Sequence, residues 1–523
     1  MSVDIVTTEV IRNLFISAGE DMHATLVRSA FQPLLYENED AAVAILDRNG
    51  DVLGQSSGLP LFLGNLDEAV KQGLRLRGAA GQLSPGDVVI LNDPYIQGTH
   101  VNDVTLFAPV HHQDELVGFV AVRGDVTDVG GKDPGGGTET TTIYQEGLRL
   151  GPIKVATADG PVDDVLDVIR RNSRSGDLIV GDINAMISSC LVGRQRMLDI
   201  IERFGVETVE SARDAIFEQS RRLDLDTVSA IPDGEYYGDG LLDNDGIQLS
   251  EPVRIPIRII VDGPQLTVDL RESPDATAGP INCGRAQAVA AVRVAYKLLF
   301  APERSFDGGC FNNIEVLTRP GSVHHAEEPA ACGWYYTSLG LIIDLFISAF
   351  SEALPQIVTA AQFGDSMISY FAGIDHRGEE YLCVEAHAGG WGASMHADGV
   401  DGMINVINGS FRNTPVEALE ARYPITVTEY ALRRGSGGQG KRRGGDGVTR
   451  GYRLDAPTKL FLWLDRSITP AWGLRGGGAG APPRVEIIGS VRRDDLLKVN
   501  GLELSAGDEV RLHTGGGGGF GAA

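Results

Sequence analysis

The chain has 523 residues, 42% of them apolar, enough for two or three domains and a large buried core without covalent staples. Its formal charge of −26, from 45 basic against 71 acidic residues, works against nucleic acid or an anionic membrane as the main partner. Five cysteines, odd in number and without a C-x-x-C pair, support neither a disulfide framework nor a cysteine zinc site.

The first residues, MSVDIVTTEV, hold no basic segment leading into an apolar one. The longest apolar run, SLGLIIDLFISAF, is interrupted by Asp344 and is too short to span a bilayer, so a cytoplasmic location is expected. From about Asp4 to Phe31, Val10, Ile11, Leu14, Phe15, Met22, Leu26, Val27 and Ala30 recur at spacings near three and four, which predicts an amphipathic helix. The run AAVAILDRNGDVLGQ alternates on both sides of Asn49-Gly50, a strong hairpin signal. A helix is expected from about Asn65 to Arg77, followed by a buried strand in DVVILND. Helical spacing returns from Ser173 to about Leu225, from Gln287 to Leu299, and from Tyr335 to Leu354 before Pro355.

After Pro424 short strands alternate with glycine turns, and the 67 glycines cluster in runs that suit tight turns and close backbone approaches. The fold class read from these elements is α+β, with mixed helices, antiparallel sheets and a β-rich, glycine-rich C-terminal region. Residues 1–230 form an N-terminal α/β region carrying the candidate site, 231–420 a middle α+β region, and 421–523 the β-rich remainder.

Chemistry concentrates between Leu91 and Gly131. Strand-like runs Val104 to Val110 and Leu116 to Val122 flank the polar HHQDE and should pair as an antiparallel hairpin. Pairing Val110 with Leu116 puts His100 within about one position of Asp125, where opposed side chains stand about 5 Å apart. Asp103, three residues after His100, joins them only if the preceding loop extends to about His100 or a bulge re-aims a side chain. A histidine with two aspartates is a hard donor set suited to Mn²⁺, Fe²⁺ or Zn²⁺; the alternative is that all three are turn residues bonding local backbone. Asp128 is a candidate general base or outer acceptor for such a site, or simply a turn cap. The pairs His111-His112 and His324-His325 read as solvated loops, and His387 and His396 as loop histidines beside a glycine-rich turn.

The stretch GSGGQGKRRGGDG, Gly435 to Gly447, comes close to a phosphate-binding loop but has Arg442 at the hydroxyl position. The residues after it alternate like a strand instead of opening a helix, so it is read as a glycine-built hairpin turn and no nucleotide-binding residue is assigned.

The phrase NDPYIQGTHVNDVTLFAPV strongly resembles the signature of the hydantoinase B/oxoprolinase family, which includes the metal-binding subunits of acetone and acetophenone carboxylases and of caprolactamase. Matching stretches span nearly the whole chain: EVIRNLFISAGEDMHATLVRSAF, DVGGKDPGGG, YQEGLRL, GGWGASMHADGVDG, RNTPVEALEARYP, GSGGQGKRRGGDG and TGGGGGFG. The resemblance implies a hetero-oligomer in which a hydantoinase A-type subunit uses ATP to phosphorylate a small cyclic amide or ketone, and this chain would then process the activated intermediate at one divalent metal. It further implies Asp40, His100, Asp103 and Asp125 as the metal ligands. Family members commonly read RGHHADVGG and PVHLG where this chain has RGDVTDVGG and PLFLG, so Asp125, Val126 and Phe62 stand where histidines are familiar. Three functions follow as expectations. The first is an ATP-dependent amidohydrolase subunit opening a hydantoin, oxoproline or lactam. The others are a ketone carboxylase subunit and a non-catalytic paralogue within such a complex.

Overall fold

Asp4 caps the first helix, α1 (Ile5–Ser29), by accepting from the Val6 and Thr7 backbone N–H groups at 3.0 and 3.1 Å. The helix buries Ile11, Phe15, Ala18, Met22 and Leu26, one apolar stripe at helical spacing. The computed structural model describes residues 3–78, 83–490, 493 and 496–523.

A short helix, α2 (Pro33–Tyr36), leads into the predicted hairpin of β1 (Ala41–Asp47) and β2 (Val52–Gln55). Its turn is built as expected: Gly50 takes φ +83°, and Asp47 Oδ1 accepts from the Asn49 and Asp51 N–H groups. Helices α3 (Pro60–Leu63) and α4 (Leu66–Arg77), strand β3 (Val88–Leu91) and helix α5 (Pro94–Gln97) follow. Strands β4 (Asp103–His112), β5 (Glu115–Asp125), β6 (Ile153–Thr157) and β7 (Gly160–Pro161) complete a sheet ordered β2-β1-β5-β4-β3-β6-β7. Between β7 and the next strand run α6 (Asp163–Arg171), α7 (Gly176–Phe204) and α8 (Val206–Ser229). Helix α7 is long and apolar enough to cross a bilayer by composition, yet most of its apolar window is buried and it packs on α1, β4 and β5 as a core helix.

The second sheet, β11-β10-β9-β8, uses β8 (Gly234–Leu242), β9 (Val253–Asp262), β10 (Gln265–Asp269) and β11 (Ile314–Leu317). It is packed by α9 (Arg285–Phe300) and α10 (Tyr336–Ala349) around Tyr296, Phe346 and Phe350. Helix α10 ends at Ala349, short of the predicted Leu354, and its chain passes through further turns before Pro355.

Sheet β13-β12-β16-β18 comprises β12 (Ile368–Ile374), β13 (Glu380–Glu385), β16 (Thr458–Trp463) and β18 (Lys498–Leu504). After α11 (Val416–Arg422), sheet β14-β15-β19-β17 is made of β14 (Ile425–Arg433), β15 (Gly447–Leu454), β17 (Arg484–Ile488) and β19 (Glu509–His513). The fold is therefore α+β with a strand-rich C-terminal part, as the sequence pattern predicts. The stretch 435–447 connects β14 to β15, so a strand and not a helix follows it. Its glycines stack on those of 515–519: Gly438 N donates to Gly517 O at 2.8 Å and Gly517 N to Gly445 O at 2.9 Å.

Two of the histidine pairs differ from their sequence reading. His111 and His112 are half-buried and end β4. His324 is not in a solvated loop; it is fully buried, with Nδ1 2.8 Å from Ser273 Oγ, and burial pushes its pKa down to about 3. The cysteines are free, and all but Cys310 are buried, as small hydrophobes should be.

Candidate metal centre

The β4/β5 hairpin determines the site. Its turn is a two-residue connection at Gln113 and Asp114, both with positive φ, and Val117 is an extra residue in β5 that shifts the register. The expected pairing of Val110 with Leu116 is therefore wrong: Val110 faces Gly118, and Leu116 faces His111. The shift carries Asp125 directly opposite Asp103 instead of beside His100. Glutamine and aspartate hid the turn, because tight turns of this kind usually announce themselves with glycine or asparagine.

His100 reaches the two carboxylates from the loop before β4, which extends to Asn102, as the three-residue spacing requires. That loop is held by Gln97. Its side-chain N–H₂ donates to Thr99 Oγ1 at 2.8 Å and to the Asp103 carbonyl at 2.5 Å, while its Oε1 accepts from Thr105 at 2.7 Å. Upstream, Asp93 caps α5 through the Tyr95 N–H, and Gly98 at φ +95° ends it.

His100 Nε2 stands 3.2 Å from Asp103 Oδ1 and 3.6 Å from Asp125 Oδ2. One donor atom from each of these three residues lies within 4.8 Å of the others. Asp40, in the turn before β1, is not part of that set but lines the same cavity, and its carbonyl accepts from the Asp125 N–H at 3.1 Å. Tyr335, at the start of α10, donates to Asp103 Oδ2 at 3.0 Å.

Electrostatics follow from burial. Asp103 is fully buried, Asp40 nearly so, and neither Asp40 Oδ1 nor Asp103 Oδ1 receives an aligned hydrogen bond from the described residues. Burial raises the Asp40 carboxyl well above the usual range, and Asp125 and Asp103 raise it further by like charge. Burial also raises Asp125, against the pull of His100. For His100, burial disfavours the imidazolium, but Asp103 and Asp125 outweigh it and hold the pKa well above the ordinary value. Crowded, under-bonded anions with one imidazole form an arrangement that a cation would relieve. The residues thus fit a divalent ion with N and O donors.

The cavity measures about 40 Å³, room for an ion and about one water. Beyond the carboxylates it is lined by Leu34, Leu61, Phe62, Ile368, Ile407 and Phe411, with Ser366 and Asn408 hydrogen-bonded to each other at 2.7 Å. Among the described residues, no lysine or arginine lines it. Phe62 forms wall, with the buried Arg123 guanidinium 5.6 Å behind its ring, and Val126 is fully buried, so neither familiar histidine position offers a donor.

Asp128 lies apart from this cluster. Its carboxylate accepts from the backbone N–H of Gly130 and Arg174 and pairs with the Arg174 guanidinium at 2.7 Å, which makes it a loop anchor in place of the suggested base. His387 is buried against Ser369 at 2.9 Å, and His396 is exposed. Tyr335, Tyr336 and Tyr370, which also line the cavity, were invisible to local pattern because they come from distant segments.

The family model for hydantoinase B/oxoprolinase matches residues 4–523. The chain belongs to that family. It is 29% identical to one subunit of a putative D-/L-hydantoinase of Pseudomonas sp. (strain NS671), over 91% of this chain and 83% of that one. The crystal structure of the ATP-dependent caprolactamase from Pseudomonas jessenii superposes with a TM-score of 0.91 at 25% identity, covering 100% of this chain and 92% of that one. The nucleotide-free acetone carboxylase structure, 18% identical, shares the fold with a TM-score of 0.90 over 99% of this chain and 75% of that one. Hydantoinase B/oxoprolinase membership thus covers the entire hairpin that carries His100, Asp103 and Asp125.

Proposed function

We propose that this chain is the metal-site subunit of an ATP-dependent amidohydrolase, opening a cyclic amide after an A-type partner subunit has phosphorylated it. The observation that carries the reading is the convergence of His100, Asp103 and Asp125 within 4.8 Å, beside Asp40, in a buried cavity. Names of relatives support it, since one belongs to a putative hydantoinase and another is an ATP-dependent caprolactamase.

Amide resonance makes the ring bond slow to hydrolyse; phosphorylation of the carbonyl oxygen makes the ring carbon electrophilic, so that water adds to it. The C–N bond then breaks with a proton passing to nitrogen, and a second water hydrolyses the resulting acyl phosphate to carboxylate and phosphate. A divalent ion held by His100, Asp103, Asp125 and Asp40 would supply an acidified water and Lewis-acid polarisation. The chain's own part is to hold the imidazole and carboxylates ready and to keep bulk water out with the apolar wall of Leu34, Leu61, Phe62 and Phe411. A ring substrate is larger than the cavity and must displace some of this wall.

Charge narrows the substrate. Three aspartates face the cavity and, among the described residues, His100 is its one basic side chain. With a divalent ion on a neutral His100 the cluster keeps a net negative charge, so a neutral hydantoin or lactam suits it better than an amide bearing a carboxylate. The test is reconstitution of the chain with its A-type partner, ATP and 2-pyrrolidone or hydantoin. Turnover should require both chains and should vanish with Asp103→Ala. Undiminished turnover by that variant would refute the assignment of this cavity.

A further inference from the structure

We infer that Tyr335 is a positioning residue for the metal centre: its phenol fixes Asp103 so that a single carboxylate oxygen faces the cation. This rests on the metal-site reading above and adds a residue that lies 232 positions from Asp103.

Asp103 presents two unlike oxygens. Oδ2 accepts the Tyr335 O–H at 3.0 Å, while Oδ1, on the His100 side, receives no aligned hydrogen bond from the described residues. A carboxylate without such a donor would be free to rotate about its Cβ–Cγ bond, and that would turn its free oxygen away from the cation. A hydroxyl on Oδ2 fixes the plane of the carboxylate and leaves Oδ1 for the cation. The phenol ring also stands 5.3 Å from the His100 ring centroid, so one side chain borders two members of the cluster.

The position of Tyr335 is itself built. Glu146, in the β5–β6 connection and only 6% exposed, accepts from the Cys332 N–H at 3.0 Å, the Gly333 N–H at 2.7 Å and Thr140 Oγ1 at 2.8 Å. Tyr95 O–H donates to the Ala330 carbonyl at 2.6 Å, Asn282 to Ala331 at 2.9 Å, and Trp334 Nε1 to the Gly137 carbonyl at 3.0 Å. These bonds clamp the segment from Ala330 to Trp334, and Tyr335 is its next residue. Such effort on a loop whose outcome is one phenol against one aspartate points to placement of that aspartate.

The experiment titrates the metal-free full chain with Zn²⁺ or Mn²⁺ against a chromophoric chelator, comparing the parent with Tyr335→Phe and Tyr95→Phe. Phenylalanine at 335 keeps the ring and removes only the donor, so affinity should fall about 10- to 100-fold, the usual cost of losing a partner of a ligating group. Tyr95→Phe removes one of the several bonds on the same segment and leaves the Tyr335 hydroxyl in place, so its affinity should stay within about threefold of the parent. Equal affinity of Tyr335→Phe and parent overturns the inference alone, as does an equal loss in both variants, which would mark loop packing as the cause. A parent that binds neither ion overturns the inference together with the metal-site reading.

Discussion

Asp103 is the side chain on which the proposed metal site turns, because this fully buried carboxylate raises the Asp40 pKa and faces His100 while one of its oxygens lacks an aligned donor. Asp103→Asn keeps the size and an acceptor for Tyr335 and removes the charge that faces His100, so added Zn²⁺ should raise the melting temperature of the parent but no longer that of the variant, as linkage requires when a ligand is lost. Calorimetry with and without the ion checks it. Glu146 offers a second test. Burial raises its carboxyl to about 7, against about 4.3 for an exposed glutamate, so the folded state holds this proton more tightly than the unfolded state. Its contribution to stability is then fully present below the unfolded pKa and is lost as pH rises toward 7. Glu146→Gln keeps the acceptor oxygen without that titration, so relative to the parent it should gain on the order of 3 kcal/mol between pH 4 and pH 8. Denaturant unfolding across that range measures it. His100, Asp103 and Asp125 were legible in the sequence because one hairpin and one motif bring them together. Tyr335 was not, because its contact spans 232 positions and no local period reports such a distance.

Among the elements, the helices α1, α4, α7, α8 and α9 were legible within a few residues because apolar spacing and caps are local signals. Register was not. The Gln113–Asp114 turn and the extra Val117 depend on packing of β5 between β1 and β4, which a single strand's alternation does not encode. The C-terminal glycines show the same limit: their clustering was visible, but not that 515–519 would lie against 435–447. A Cβ on Gly517 would stand 2.0 Å from the Trp391 carbonyl oxygen, and one on Gly444 only 1.9 Å from the Gly517 carbonyl oxygen. Neither neighbour is a flexible side chain, so backbone must move. Gly517→Ala should cost more than about 3 kcal/mol or abolish folding, whereas Gly151→Ala, with nothing within 4 Å, should stay within about 0.5 kcal/mol of the parent. Urea unfolding of the two variants decides whether the glycine stack is packed as closely as described.

For the whole molecule, cavity charge and apolar lining bear on which substrate an assembled enzyme accepts. 2-Pyrrolidone and 5-oxoproline share the lactam ring and differ by one carboxylate, so they isolate the effect of Asp40, Asp103 and Asp125. The neutral ring should be preferred at least about tenfold in kcat/KM, roughly 1.4 kcal/mol, and the preference should shrink with added salt only weakly because the groups are buried. The broad function was legible through motifs that run the length of the chain, and the family match to residues 4–523 agrees with them. Substrate choice was not, since the lining is drawn from segments as distant as Leu34 and Phe411. The most direct measurement of the central claim is product mass after turnover of a neutral lactam by this chain with the proposed A-type partner and ATP in ¹⁸O-water. The account predicts at least one solvent oxygen in the new carboxylate of the ring-opened product and no dependence on bicarbonate. Strict bicarbonate dependence, with labelled carbon in the product and no solvent oxygen, would contradict it and assign the chain to a carboxylase.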